Sequence, residues 1–249
     1  MRAAAILFAA ALAAPPALAG ENLVSGLSQD RIEIRSTYNG TEITVFGAVE
    51  RPESGARPDI VVVVRGPRTD MRVRRKDRVL GIWINTSREI LYAMPGYYFA
   101  ASNRPLLDIA SETVRRQYGL GLAALSPRSA MGGHDPRPFI QAAIRAEERN
   151  KLYAEEGKGV EFLSGTLFRA RVPLPASAPR GDYTADVYLL RGGRVIGPPH
   201  QSKLTIDQTG TERRVYDFSR DNPLAYGLST VLMAMAMGWL SSLAFRRME

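Results

Sequence analysis

Leu224–Phe245 reads LAYGLSTVLMAMAMGWLSSLAF, twenty-two residues without a charged side chain, and Arg246-Arg247 follow at once. A helix of that length rises about 33 Å, enough to cross a hydrocarbon core of about 30 Å. A soluble core helix would keep a polar face, and here only scattered Ser and Thr are polar. Asp221-Asn222 can cap the start, and Pro223 suits the first helical position. Tyr226 and Trp239 lie towards opposite ends, where interfacial aromatics collect. The stretch reads as a membrane-spanning helix, with boundaries at 221–245, so the rest of the chain must be something it tethers.

At the other end, Met1–Ala19 carries Arg2, an apolar run Ala3–Ala14, a Pro15-Pro16 break and Ala17-Leu18-Ala19 before Gly20. That is the pattern of a secretory signal peptide, too short and too alanine-rich to span well. Removal of residues 1–19 leaves an exported domain at 20–220. Arg246 and Arg247 then stay on the cytoplasmic side, within a tail of residues 246–249. The expected location is a bacterial inner membrane, crossed once, with the large domain in the periplasm.

The chain has 33 basic and 25 acidic residues, no cysteine and two histidines. Setting aside Arg2, Arg246, Arg247 and Glu249 leaves a formal +6 on the external part. That modest excess has no lysine-rich blocks, and export argues further against nucleic acid as a partner. Without cysteine, thiol catalysis, thiolate metal sites and a lipidated N-terminal cysteine are excluded, and the fold must rest on its core. Two histidines leave little material for a multi-histidine metal site. Neither a metal nor a cofactor is expected.

Between the two ends the chain is written in short strands and turns. Arg31–Arg35 alternates, Asn39-Gly40 is a strong hairpin signal, and Glu42–Val49 reads as the returning strand. Ile60–Val64 is IVVVV, apolar on both faces, so a central strand. Met71–Arg75 and Val79–Asn85 flank Lys76-Asp77-Arg78 as a second hairpin. Glu89–Ala93 and Tyr97–Ala101 flank Pro95-Gly96 as a third. Helical spacing then takes over in Pro105–Tyr118 and again from Asp135 to about Glu156. Strands resume at Val160–Leu163, Leu167–Val172, Thr184–Leu190 and Ser202–Ile206, with a tight turn at Gly192-Gly193. Thr209–Asp221 is a polar stem.

The stretch Pro173–Tyr183, PLPASAPRGDY, leads into the alternating strand TADVYLL. It resembles the penultimate corner of immunoglobulin-like sandwiches, where a tyrosine hydroxyl ties the corner to the backbone. The expected fold is mainly β, an immunoglobulin-like antiparallel β-sandwich with a two-helix insertion at about 105–157 and one C-terminal transmembrane helix.

Taken together, DRIEIRSTYNGTEITVFGAV, IVVVVRGP, GIWIN, MPGYYFAAS and the terminal anchor resemble an alphaproteobacterial family of transmembrane proteins to which no activity is assigned. Its members are often encoded beside TauE/SafE-like sulfite or organosulfonate exporters. The resemblance covers nearly the whole mature chain. It implies an accessory membrane protein partnered with a permease, and carries no catalytic residue.

Arg72, Arg74, Arg75, Lys76 and Arg78 form the densest charge cluster. Guanidinium forks match tetrahedral oxyanions, so the cluster is a weak candidate for binding sulfonate, sulfate or phosphate. Its plainer reading is a solvated hairpin, with Met71 and Val73 inward and Arg72 and Arg74 outward. His134-Asp135, at the entrance of the second helix, could move a proton, although Asp135 also suits a simple cap. His200 reads as surface loop. Gly-x-Ser-x-Gly, phosphate-loop and dinucleotide glycine motifs are absent, and Ser25 and Ser164 have no histidine close in sequence. In the terminal helix Ala234, Gly238 and Ser242 recur every fourth residue as a small-residue seam, against which a helix of a polytopic partner could pack. Met233, Met235 and Met237 surround it.

The chain therefore reads as a membrane-anchored binding protein, the auxiliary subunit of an inner-membrane transporter, and not as an enzyme. The alternative is a tethered periplasmic hydrolase for a small anionic substrate, with the helical insertion as a lid. A solute sensor is the third reading, and four cytoplasmic residues would oblige it to signal through a partner.

Overall fold

The computed structural model describes residues 22–34, 39–50, 58–129, 135–208 and 218–246. Residues 1–19, read above as a signal peptide, lie outside them, as do residues 51–57, 209–217 and 247–249. The chain is mainly β. Strand β1 is Asn22–Leu27, β2 Arg31–Ile34, β3 Thr41–Glu50 and β4 Asp59–Arg65. Strands β5 (Arg68–Val79) and β6 (Ile82–Pro95) form a long arm, and β7 is Tyr98–Ser102. Helices α1 (Leu106–Ile109) and α2 (Glu112–Tyr118), a 3-10 turn at Leu122–Ala124, the short β8 (Arg128–Ser129) and helix α3 (Arg137–Arg149) follow. Then come β9 (Tyr153–Glu156), β10 (Val160–Phe162), β11 (Leu167–Leu174), β12 (Gly181–Arg191), β13 (Arg194–Val195) and β14 (His200–Gln208). Helix α4 is Pro223–Arg246.

Two sheets share one core. The first runs β1-β3-β11-β10, and the second β2-β14-β12-β4-β7-β9 with β13 appended to β12. Period-two burial decides which residues meet between them. Ile43, Val45 and Val49 of β3 and Phe168, Ala170 and Val172 of β11 face Val62 and Val64 of β4 and Tyr183, Ala185 and Val187 of β12. The other face of the second sheet carries a separate core. Val61, Val63, Tyr98, Ala100, Tyr188 and Leu190 pack there with Leu91 and Met94 of the arm, Leu106 and Ile109 of α1 and Ala143 of α3. That double cover is why IVVVV has no polar face: β4 lies mid-sheet with a core on each side.

Several expected pairings fall elsewhere. Arg31–Ile34 does not fold back on β3; β2 pairs in parallel with β14, while β3 lies between β1 and β11 in the other sheet. The turn signal at Asn39-Gly40 specifies a reversal and leaves open which sheet receives the returning strand. Lys76-Asp77-Arg78 lies within β5, and the arm turns at Leu80-Gly81, both at positive φ. The glycine accepts that geometry and the leucine is held in it. Pro95-Gly96 is a corner and not a hairpin turn, because β6 belongs to the arm and β7 to the second sheet. In fact β4-β5 and β6-β7 are one long hairpin, bent where the Gly66 N–H donates to Tyr97 O at 2.8 Å and the Gly96 N–H to Pro67 O at 2.7 Å. A Cβ on Gly66 would come within 2.9 Å of Tyr97 Cβ, so this bend needs glycine.

The helix expected over Pro105–Tyr118 is broken at extended Ala110, and Ser111 caps a new start by accepting from the Val114 N–H. The second helix stops at Arg149 rather than Glu156, because Tyr153–Glu156 is claimed as a strand parallel to β7. The corner before β12 is as expected: the Tyr183 hydroxyl, fully buried, donates to Pro179 O at 2.5 Å.

Candidate functional site

Three places carry unusual chemistry: the bend of the long hairpin, the arm beyond it, and α4. At the bend a cleft of about 860 Å³ opens between β4, β12, the end of α2 and the loop 125–128. Arg65 follows the apolar run Ile60–Val64 at the end of β4, and Asp186 sits between Ala185 and Val187 in β12. In the register Thr184 lies opposite Arg65, so Asp186 is its diagonal neighbour on the same face. Arg65 Nη1 donates to Asp186 Oδ2 at 2.5 Å, and Gln201 Nε2 donates to Asp186 Oδ1 at 2.8 Å. The other guanidinium nitrogen, Nη2, donates to the carbonyls of Tyr118 and Gly119 at the C-terminus of α2, at 2.8 and 3.1 Å. A cation there also meets the negative end of the helix dipole. Arg65 thus clamps α2 to the sheet while forming the polar floor of the cleft.

Tyr118 and Tyr188 line the same cleft with their rings edge-to-face, centroids 5.7 Å apart. Burial pushes the Tyr188 phenol above its ordinary range, against the opposing charge of Arg65. Below them, the buried Tyr98 hydroxyl donates to Gly119 O and accepts from the Gly121 N–H, both at 2.8 Å. Burial raises Tyr98 too. Exposed Arg68 and Arg128 stand at the rim, with Asp182 also lining the wall. The cleft therefore offers donors and aromatic edges to a small polar solute. Nothing in the motif reading pointed to it. Its signal was one arginine closing the IVVVV run and one aspartate between Ala185 and Val187.

The five basic residues proposed from sequence do not surround a point. Arg72, Arg74, Arg75, Lys76 and Arg78 lie in a row along β5, over about 20 Å at 3.4 Å per residue. Arg75 Nε donates to Asp77 Oδ1 at 3.1 Å, and Arg78 Nε donates to Gly81 O at 3.2 Å. Hydrogen bonding by Thr86, then by Arg75, holds the Asp77 carboxyl below the ordinary carboxylate range. Arg74 stands directly opposite Arg88 of β6, and these two with Asn85, Thr86 and Ser87 line a recess of about 380 Å³. Beyond it the arm ends in exposed Leu80, Ile82, Trp83 and Ile84.

His134 lies outside the described residues. Its neighbour Asp135 accepts from the Arg137 backbone N–H at 3.0 Å and pairs with the Arg137 guanidinium, which together hold its carboxyl low. Ser164 accepts from the Thr166 and Leu167 N–H groups in a turn, and Ser25 sits in β1. His200 begins β14 rather than occupying a loop. Among the described residues no group of three His, Cys, Asp or Glu is placed to hold a metal ion.

In α4 the stretch Pro223–Ser241 is apolar, and none of it is buried against the other described residues. The Ser229 and Thr230 hydroxyls both donate to Tyr226 O at 2.8 Å, so neither is left open to an apolar surrounding. Ala234 and Gly238 lie one turn apart on an open face, where a Cβ at Gly238 would have no atom within 4 Å. Ser242 follows in the same helix, and its side chain lies outside the described positions.

A family model described as "Putative transmembrane protein (Alph_Pro_TM)" matches residues 22–247. No curated protein and no solved structure matches the chain.

Proposed function

The chain belongs to the Alph_Pro_TM family of transmembrane proteins, and on that premise we propose that it is a membrane-anchored accessory subunit of a polytopic transporter. The observation that carries this reading is α4 itself. Both cores are built without it, and among the described residues nothing covers its small-residue face at Ala234 and Gly238. In lipid, where helices gain no hydrophobic benefit from meeting, such a face favours close packing against another helix. The β domain, held in the periplasm by this anchor, would cover or feed the transporter's outer mouth, with the Arg65–Asp186 cleft as its solute-facing surface. A sulfite or organosulfonate exporter is the first partner to test.

For the domain we infer an immunoglobulin-like sandwich. The order β1-β3-β11-β10 follows the A-B-E-D pattern and β14-β12-β4 the G-F-C pattern, with Tyr183 at the start of the F-like strand.

The test is co-purification of the tagged full-length chain in mild detergent. A polytopic permease should accompany the natural chain and be lost with Gly238→Leu. A Cβ at that position has no described atom within 4 Å, so loss reports the contact and not misfolding. Equal recovery of the permease with both would sink the reading.

A further inference from the structure

The end of the β5-β6 arm contradicts ordinary surface design. Leu80, Ile82, Trp83 and Ile84 are 98, 68, 66 and 45% exposed. Ile82, Trp83 and Ile84 are consecutive in one strand, so their side chains point alternately to the two faces of the ribbon. Among the described residues the only strand added to the arm is β8, which pairs with Leu91 and Tyr92 near its base, leaving the tip a two-stranded ribbon. A flat protein surface could cover one face of such a tip and would leave the other in water. A surrounding apolar medium covers both.

Behind the tip the charge is one-sided. Residues 72–88 contain six basic side chains (Arg72, Arg74, Arg75, Lys76, Arg78, Arg88) and one acidic, Asp77, which is paired with Arg75. Arg74 and Arg88 face each other across the strands beside Asn85, Thr86 and Ser87, two like charges around a recess of about 380 Å³ that an anionic group would relieve. From the turn, the apolar side chains Ile82, Trp83 and Ile84 of β6 reach back about 10 Å at 3.4 Å per residue, with Val79, Arg78 and Asp77 opposite them on β5. That reach equals the depth of about 5–10 Å to which interfacial elements sink and falls far short of a crossing. An amphipathic tryptophan belongs at that level.

The geometry points to a second membrane contact: the arm inserts its Leu80–Ile84 tip into the bilayer surface, and the row of basic residues binds the phosphates of anionic lipid headgroups. The bilayer is always within reach, because α4 holds the chain to it, so a tip of modest intrinsic affinity acts at high effective concentration. The two contacts together fix the orientation of the domain over the membrane.

The full-length chain has two tryptophans, Trp83 and Trp239, so Trp239→Phe makes Trp83 the sole reporter. The protein is placed in nanodiscs with brominated acyl chains, of phosphatidylcholine with or without phosphatidylglycerol. Since α4 anchors the protein in both, only the position of the tip varies. Trp83 emission should shift to the blue and be quenched by bromine with phosphatidylglycerol present, and less so in phosphatidylcholine alone or in high salt. Arg74→Gln and Lys76→Gln should each lower the inserted-to-free ratio about fivefold, the equivalent of about 1 kcal/mol per basic residue near an anionic surface. Water-like, unquenched emission in both discs overturns the proposal. Equal quenching in both overturns the headgroup role. A blue shift produced by inorganic phosphate in detergent without a bilayer would make the basic row a solute site instead. A shift that rises with protein concentration without bromine quenching would mean a protein contact. The salt comparison needs no substitution in the arm, so it stands even if the Arg74 or Lys76 variants misfold.

Discussion

Replacing Arg65 by methionine tests the clamp at the hairpin bend, and its cost follows from what is left behind. The Arg65 side chain is 25% exposed and that of Asp186 only 9%. Arg65→Met strips the carboxylate of its counter-charge and leaves it the amide of Gln201 alone. Breaking a buried pair from one side typically costs about 3–5 kcal/mol. The cleft admits some water beside the guanidinium, so the lower end, about 3 kcal/mol, is expected. Asp186→Asn alone should cost less, about 1–2 kcal/mol, because Arg65 keeps its carbonyl partners and its own access to solvent. The deciding variant is the double one. Arg65→Met with Asp186→Asn contains no buried charge, so it should be more stable than Arg65→Met alone despite carrying one more change. The assay is urea unfolding of the full chain in mild detergent, followed by far-ultraviolet circular dichroism. Hydrogen exchange should locate the loosening at Gly119–Leu122, next to the freed end of α2. A loss below about 1 kcal/mol for Arg65→Met, or further destabilisation on adding Asp186→Asn, would refute the account.

Two further outcomes follow from the buried tyrosines. Tyr183→Phe keeps the ring in the core and deletes only the hydroxyl that donates to Pro179 O, so unfolding should ease by about 1–2 kcal/mol, with Tyr92→Phe at an exposed position near zero. Equal shifts in the two variants would remove the corner's stabilising role. Burial also raises the phenols of Tyr98, Tyr153 and Tyr188 above the ordinary value of 10.0. Because the unfolded chain would lose these protons first, their stabilisation is complete below about pH 10 and declines as pH rises beyond it. An absorbance titration should show a group of the ten tyrosines ionising late, together with unfolding. A single ordinary transition for all ten would contradict the burial argument.

The local chemistry was legible in the chain because it depends on near neighbours. The apolar run of α4, the both-faces-apolar β4 and the tyrosine entering β12 were each read from a few consecutive residues. The structure keeps α4 as a helix from Pro223, β4 mid-sheet, and Tyr183 on Pro179. Readings that depended on partners distant in sequence fared differently. Asn39-Gly40 announces a reversal, yet β3 has its two edges paired with β1 and β11, and β2 pairs instead with β14, some 170 residues on. Pro95-Gly96 turns the chain whether it closes a hairpin or bends a longer one. The end of α3 at Arg149 was hidden as well, since helical spacing continues into Leu152 and only the edge of β7 draws Tyr153–Glu156 into a strand.

The candidate sites divide along the same line. Charge density along β5 was plain in the sequence, and so was the small-residue spacing in α4, since both follow from strand and helix periods. Where those charges end up was not. Moving the turn from Lys76-Asp77-Arg78 to Leu80-Gly81 lengthens the arm, sets Arg74 against Arg88 and leaves the Leu80–Ile84 end bare on both faces. The Arg65–Asp186 pair joins residues 121 positions apart, and its register exists only once β4 and β12 are adjacent. By itself the sequence determined that the chain carries a C-terminal helix long and apolar enough to cross a membrane and is built mainly of strands, because hydrophobic length and alternation are properties of short segments. Tertiary structure alone decided which strands meet, where the cleft opens and what the arm exposes, because those are contacts between segments that no local pattern encodes.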